Sequence, residues 1–387
     1  MLSDYLNPVD IDGLFPTFNF SNNQWGNLLY IHTKEGFPDL ERIKIALIGV
    51  GESEGSAENA GCKHAPDHVR KSLYRLHQNS ANVAIADLGN ILPGNTYQDT
   101  IYAMKTVVGQ LLIRNIIPII VGGSHDLTYG QFLGYEEINE TVNIASVDEK
   151  INITQEPLMP DSEGFLLDLF LHEPNILFNY CQLGHQSYFV DNETLAALEK
   201  LHFDCYRLGH LTNNMEEVEA IIRDSDITSF DISAVQSAFA PGHALATPNG
   251  FNGEQACQIA RYAGISDKMS SFGIYELNPL HDNQGTTGML AAQMIWYFVE
   301  GYLSRMGAQP TLDRSSFTKY TVDLEEEHDI TFWKSQRSGR WWMEVPYSPE
   351  KQKFKKHHLV SCAYSDYQEC MKGSVPDRWI NAYDKLS

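Results

Sequence analysis

The sequence has no apolar run long enough to cross a bilayer. Its longest, GMLAAQMIWYFVEGYL from Gly288, is interrupted by Gln293 and Glu300. It falls short of the roughly 20 apolar residues that a spanning helix needs and reads as a buried helix instead. Cysteine is sparse and scattered: Cys62, Cys181, Cys205, Cys257, Cys362 and Cys370 include no Cys-x-x-Cys pair. That excludes a dense disulfide framework and favours reduced core thiols in a cytoplasm. The first residues, MLSDYLNPVDIDGLF, lack a basic stretch followed by an apolar one, so no signal peptide is expected. Basic residues are scarce, 28 Lys and Arg against 50 Asp and Glu, a formal charge of −22. Such a surface disfavours nucleic acid and anionic membrane as partners and attracts small cations. Internal repeats and low-complexity tracts are also missing.

What is present is ample for a large core, 387 residues with a repeating strand-helix texture. Candidate strands are KIALIGV (44–50), NVAIADL (82–88), IIPIIV (116–121), VNIASV (142–147), FDCYRL (203–208), ITSFDI (227–232) and SSFGIYEL (270–277). Helical patterns fall between them at 66–77, 98–114, 126–137, 164–172, 193–201, 215–223, 253–263 and 284–304. This alternation predicts an α/β fold of three layers, α/β/α, around a mostly parallel sheet. The texture changes near residue 305. We therefore expect an N-terminal segment (1–40), an α/β/α domain (41–304) and a small appendage (305–387). The appendage holds Trp333, Trp341, Trp342 and Trp379, four of the six tryptophans, and a turn signal at Ser338 and Gly339. It reads as ordered, with a hairpin at that turn, and its basic run KQKFKKHH as a solvated face.

In open parallel sheets, ligands collect beyond the carboxyl ends of the strands. That places four stretches at a candidate site: GGSHDLTYG after IIPIIV, DEKIN after VNIASV, DISAVQSAFAPG after ITSF, and YELNP with Glu276. His125, Asp148 and Asp231 offer an imidazole and two carboxylates from separate strand ends, a donor set suited to Mn²⁺, Zn²⁺ or Fe²⁺ and to activating a water. Taken singly, each also has an ordinary role, the histidine in capping a turn and the aspartates as turn or N-cap residues.

The stretches IGVGESEGSAENAGCKHAPDHVRKSLYRL (48–76), PIIVGGSHDLTYG (118–130), DISAVQSAFAPG with TPNGFNGEQA (247–256), and YELNP (275–279) resemble the arginase, agmatinase and formimidoylglutamase family, the ureohydrolases. The likeness spans about residues 40–304 and is nearest to a formimidoylglutamase-like branch with a C-terminal extension. It implies a binuclear manganese centre at the strand ends and commonly a homo-oligomer. The family's metal-binding histidine after Gly-Gly matches His125. Its Asp-x-His-x-Asp triplet matches Asp148, Lys150 and Asn152, and its later Asp-x-Asp pair matches Asp231 and Ser233. The resemblance thus implies one metal site composed of His125, Asp148, Asn152 and Asp231, with Asn152 supplying a carbonyl oxygen. At the second site Lys150 and Ser233 replace ligands. We expect that site to be empty, with the Lys150 ammonium between Asp148 and Asp231 in place of the lost cation, or pointing to solvent if the strand register is off by one. Glu276 matches a carboxylate that pairs with the substrate's guanidinium or similar group; it also suits a strand-end hydrogen-bond acceptor. EPLMPDSEG carries no histidine where several family members have a proton shuttle, and His172 and His185 read as structural.

The expected cofactor is therefore one Mn²⁺ or other divalent ion, or none, and the expected ligand a small cationic or amidino molecule. Three functions follow. The first is a ureohydrolase-fold protein with a degraded binuclear site, weakly active or acting in binding or regulation. The second is an active metal-dependent hydrolase of C–N bonds in guanidino, amidino or formimino substrates. The third is oligomerisation or partner binding through the appendage.

Overall fold

The computed structural model describes residues 2–78, 83–154, 160–307, 314–324 and 329–387. Its main sheet contains β1 (Leu6–Asn7), β2 (Tyr30–Ile31), β3 (Ile45–Gly49), β4 (Ile85–Ile91), β5 (Ile117–Val121), β6 (Val142–Val147), β7 (Leu177–His185), β8 (Asp204–Arg207), β9 (Ile227–Asp231) and β10 (Ser271–Tyr275). The strand order is β1-β4-β3-β5-β10-β9-β6-β7-β8, with β2 also on β4. All pairings are parallel except that of β1 with β4.

The apolar runs of β3, β5, β6, β9 and β10 are buried at every residue, as a sheet covered on both faces requires. Alternation then divides the core in two. Ile45 and Leu47 pack with helices Ala65–Leu73, Met215–Arg223, Gly253–Ile265 and Thr286–Leu303. Ala46 and Ile48 pack with helices Tyr97–Ile113, Thr128–Leu133, Phe165–Leu171 and Asn192–Lys200. The three layers follow. Capping boxes set two of these helices, Thr96 with Asp99 and Asn252 with Gln255.

Among the strands that differ from the sequence reading, β7 and β4 are the longest. β7 has no counterpart in it, because Asn179 and Gln182 interrupt the apolar run. In the fold, buried Gln182 Nε2 donates to the carbonyls of Asp148 and Lys150, at 3.0 and 2.8 Å. β4 also runs on to Ile91, through Gly89 at φ +85°. A Cβ there would meet the Asn7 carbonyl oxygen at 1.9 Å, so only glycine lets β1 pair so closely.

Arg70 ties helix Ala65–Leu73 to β4. Fully buried, it donates to both Asp87 carboxylate oxygens at 2.8 Å, and Tyr74 Oη donates to Asp87 at 2.8 Å. Arg70→Ala would leave Asp87 buried without its cation. We expect a loss of ~3–5 kcal/mol, read as a lowered denaturant midpoint; an unchanged midpoint would contradict this account of the pair.

The residues after 314 form an antiparallel meander of β11 (Phe317–Val322), β12 (Ile330–Ser335), β13 (Trp341–Glu344) and β14 (Leu359–Cys362). β12 and β13 form the expected hairpin, closed by Ser335 and Arg340 and turned at Gly339, φ +72°. Phe332, Trp341, Met343, Cys362 and Trp379 fill a separate small core. All six cysteines are free thiols. No helix among the described residues is long and apolar enough to cross a membrane.

Candidate metal centre

β5, β10, β9 and β6 are neighbours in the sheet, and their register is level: Tyr275 lies opposite Asp231 and Val147 opposite Phe230. The next residue of each parallel strand therefore emerges on one rim. Gly122 and Gly123 turn the chain sharply after β5, where a Cβ on Gly123 would sit 1.6 Å from the Glu52 carbonyl oxygen. This turn brings His125 over the ends of β6 and β9.

His125 Nδ1 lies 3.0 Å from Asp148 Oδ2 and 3.3 Å from Asp231 Oδ2. Its Nε2 is fixed at 2.8 Å by Ser229 Oγ. The other oxygen of each aspartate is taken by backbone two residues on, Asp148 Oδ1 by the Lys150 N–H at 2.8 Å and Asp231 Oδ1 by the Ser233 N–H at 2.7 Å. Both Oδ2 atoms are thereby turned toward the imidazole. The Asn152 amide joins them, with Nδ2 at 2.6 Å from Asp148 Oδ2 and 3.2 Å from His125 Nδ1. A half-turn of that amide would present its carbonyl oxygen to the same point. One ligand atom each from His125, Asp148 and Asp231 lies within 4.8 Å of the others.

Burial would lower the His125 pKa, but hydrogen bonds to Asp148 and Asp231 carry it up to about 10. In the metal-free protein the imidazolium is thus the counter-ion of the two carboxylates, and a metal bound there would displace its proton. The sequence reading gave that place to Lys150, and the structure corrects it. Lys150 Nζ pairs with Glu163 in a half-exposed position at the rim. With His125 already bridging Asp148 and Asp231, an outward ion pair spares the ammonium the desolvation that burial would cost. Ser233 lines the cavity and adds no carboxylate.

Glu276 is buried at φ +64° just after β10. Its Oε1 accepts the His125 N–H at 2.9 Å, and its Oε2 accepts from Ser56 Oγ and Asn59 Nδ2, both at 2.8 Å. Its hydrogen-bonding role is therefore structural in this fold.

Three participants were not singled out from sequence: Glu149, His243 and Asn59. Glu149 is 2% exposed and accepts from Thr247 Oγ1 at 2.9 Å. Burial, with Asp231 and Asp148 nearby, pushes its carboxyl up to about 8; burial and Asp231 push Glu276 to about 8 as well. His243, from the stretch APGHAL, places Nε2 3.9 Å from Glu276 Oε2, and burial lowers its pKa. Glu149 stood inside the quoted DEKIN, but strict alternation turns it away from Asp148. The chain leaves β6 at Val147 and bends, so alternation no longer applies there.

Asp148, Glu149, Asp231, Ser233, His243 and Glu276 border a cavity of ≈ 280 Å³, at the small end of ligand pockets. His172 bonds to Tyr129 and Glu136, and neither it nor His185 borders the cavity. Residues 156–159 of EPLMPDSEG lie outside the described residues.

Residues 43–300 match the arginase family. The chain belongs to that family. Formimidoylglutamases from Staphylococcus haemolyticus and Streptococcus gordonii are 25% and 26% identical to it; they align over 74% and 78% of this chain and 92% and 98% of their own. Among solved structures, Trypanosoma cruzi formiminoglutamase with Mn²⁺ superposes at TM-score 0.64 with 18% identity, covering 73% of this chain and 99% of that one. Bacillus subtilis formimidoylglutamase gives 0.66 at 17%, covering 77% and 99%. This arginase-family chain is thus formimidoylglutamase-like in sequence and has the fold of these enzymes. Residues 301–387 lie beyond the family match.

Proposed function

We propose that this chain holds one divalent metal ion, Mn²⁺ by family preference, and uses its acidic cavity to bind a small cationic or amidino ligand, with hydrolysis weak or lost. The observation that carries the reading is the one convergent donor set among the described residues, His125, Asp148 and Asp231, beside a Lys150 turned to Glu163 and a Ser233 without a carboxylate. The donor set suits a hard or borderline divalent ion. Asn152 would complete it through its carbonyl oxygen, with one negative charge fewer than an aspartate.

Such an ion, when bound, supplies Lewis acidity and lowers the pKa of a coordinated water. The chain's own residues prepare the place. Ser229 holds Nε2 and so fixes the ring of His125, while the Lys150 and Ser233 backbone N–H groups hold the carboxylates. Ureohydrolase activation uses two cations, and this cavity provides the ligands of one.

A second reading, hydrolysis at a single metal, is favoured by one observation. His243 is buried on the cavity wall with its pKa lowered, a neutral imidazole placed to accept a proton. Release of urea, formamide or ammonia from arginine, agmatine or N-formimino-glutamate by the Mn²⁺-supplemented protein would establish it.

The test of the first reading is stoichiometry. Mn²⁺ titration of protein purified without chelator should give one ion per chain and a raised melting temperature, with ~2.7 kcal/mol of stabilisation at a hundredfold excess over Kd. Asp231→Ala should abolish both. Two ions per chain, or none, would overturn it.

A further inference from the structure

The outer helical layer carries a feature that the metal centre does not use. Helix Thr286–Leu303 packs against both helix Ala65–Leu73 and helix Gly253–Ile265, and the three border a groove of ≈ 1190 Å³. Along the middle helix the groove is lined from Thr286 to Tyr297, a span of roughly 16 Å or three helical turns. A helix in an outer layer ordinarily turns polar residues to water. Here Met289 and Tyr297 are 37% and 39% exposed, and Phe239, from the loop after β9, lines the same groove at 43%. A Cβ on Gly253 would touch both Phe239 and Leu290, at 3.3 and 3.5 Å, so the phenyl ring lies next to the middle helix. Large apolar side chains gathered on one groove mark a contact surface rather than scattered exposure.

The charge of the groove is opposite to that of the molecule. Its lining has Lys71, Arg75 and Arg261 against one acid, Glu254, in a chain with 28 basic and 50 acidic residues. Arg261 is satisfied by Glu300 at 2.5 Å, and His68 by Asp282 at 2.9 Å. Lys71 is exposed and has no ion-pair partner among the described residues. Arg75 lies over the Phe18 ring at 5.0 Å and meets no carboxylate among them. Two uncommitted cations one turn apart, on one wall of an apolar groove, favour a partner that brings carboxylates alongside apolar side chains. A nucleic-acid backbone is a poorer occupant, because the remaining surface of a chain at −22 repels it and the apolar side chains give it no contact.

We infer that this groove docks an acidic amphipathic helix of another protein. Apolar side chains three and four residues apart along that helix seat on Met289, Tyr297 and Phe239, and its carboxylates reach Lys71 and Arg75. The loop that carries Phe239 to the groove also carries Ser233 and His243 to the strand-end cavity, so the docked helix touches a segment that walls the candidate metal centre.

The experiment is fluorescence anisotropy of three synthetic helix-forming peptides against the full-length protein. The first carries leucines at i, i+4 and i+7 flanked by glutamates. The second replaces those glutamates by lysines, and the third replaces the leucines by serines. The first should bind, added salt should weaken it, and the other two should bind at least about tenfold more weakly. Lys71→Glu should weaken the first peptide about tenfold and strengthen the second, and Met289→Glu should weaken the first about tenfold or more. Both positions are exposed, so both variants should melt like the parent, which separates lost docking from lost folding. The inference is overturned if no peptide binds, if the lysine or serine peptide binds as tightly as the first, or if either variant is silent. It is also overturned if the parent sediments as a dimer that Met289→Glu dissolves, since the groove then belongs to a second copy.

Discussion

Restoring the three family ligand types together, Lys150→His, Asn152→Asp and Ser233→Asp, should raise Mn²⁺ stoichiometry from one to two per chain and create measurable amidine hydrolysis. The argument is local. Ser233 borders the cavity, and its backbone N–H already holds Asp231 Oδ1, so an aspartate side chain there faces the same space as Asp231. Lys150 also borders the cavity and reaches out to Glu163 only through its long stem. A histidine is too short for that pairing and gains a metal as partner if it turns inward. Asn152→Asp replaces the amide whose Nδ2 donates to Asp148 Oδ2 at 2.6 Å by a charged carboxylate beside it. Removing one transition-state-stabilising donor from an enzyme typically costs about 10²–10³ in rate, so regaining a whole cation should yield at least that factor. The cost falls on the metal-free protein. Its cavity already pushes Glu149 and Glu276 up to about 8, and two more carboxylates add repulsion that only metal relieves. The triple variant should therefore melt below the parent without Mn²⁺ and gain more from Mn²⁺ than the parent does. One ion per chain in both proteins would show that the second site is closed by backbone geometry rather than by side-chain chemistry.

The sequence disclosed elements in proportion to how simply they are buried. β3, β5, β6, β9 and β10 are covered on both faces, so each appears as a short β-prone stretch of nearly correct length, in which the few polar residues, such as Asn143 and Ser229, are small or internally bonded. β7 lies next to the edge strand β8 and carries Gln182, whose amide serves backbone carbonyls of the neighbouring loop; a polar residue with an internal partner looks like a surface residue in sequence. At the site, His125, Asp148 and Asp231 were legible because strand exits in parallel sheets are where ligands gather. That they converge depends on β5, β10, β9 and β6 being adjacent, a matter of topology that residue patterns do not encode and that the family resemblance implied. Lys150 was misplaced for a definable reason. Every-second-residue geometry holds within a strand, and the chain bends once Val147 is passed, bringing Glu149 to the cavity and the Lys150 ammonium to the rim.

Removal of residues 305–387 should leave a chain that no longer folds cooperatively, because the appendage completes the α/β/α unit at the end opposite the candidate metal centre. Arg223, at the end of helix Met215–Arg223, is buried and donates through Nη2 to the carbonyls of Trp341 and Cys362, at 3.1 and 3.0 Å, with its guanidinium 4.5 Å from the Trp342 ring. Among the described residues its Nε and Nη1 have no hydrogen-bond partner, so the bonds to the appendage, with Glu219 Oε2 at 3.8 Å, are what offset its burial. Asp224 accepts the Ser361 N–H and hydroxyl at 2.6 and 2.8 Å. At the start of β7, Phe178 stacks on His357 at 4.0 Å, and at the start of β8 Asp204 accepts from Asn381 at 2.8 Å. Each polar contact contributes ~1 kcal/mol and those to charged groups ~1.5–3. Together with the apolar surface exposed, the loss is comparable with the 5–15 kcal/mol that holds a typical domain. The truncated chain should aggregate or melt without a transition. Trp342→Ala in the full-length chain supplies the finer test, a destabilisation of ~3–5 kcal/mol with Mn²⁺ stoichiometry unchanged, since Trp342 packs on Arg223, ahead of the start of β9, and His125 lies at the strand exits. A truncated protein that stays monodisperse with the parent's denaturant midpoint would show instead that the appendage is an independent module, and would turn attention to what else its aromatic residues contact.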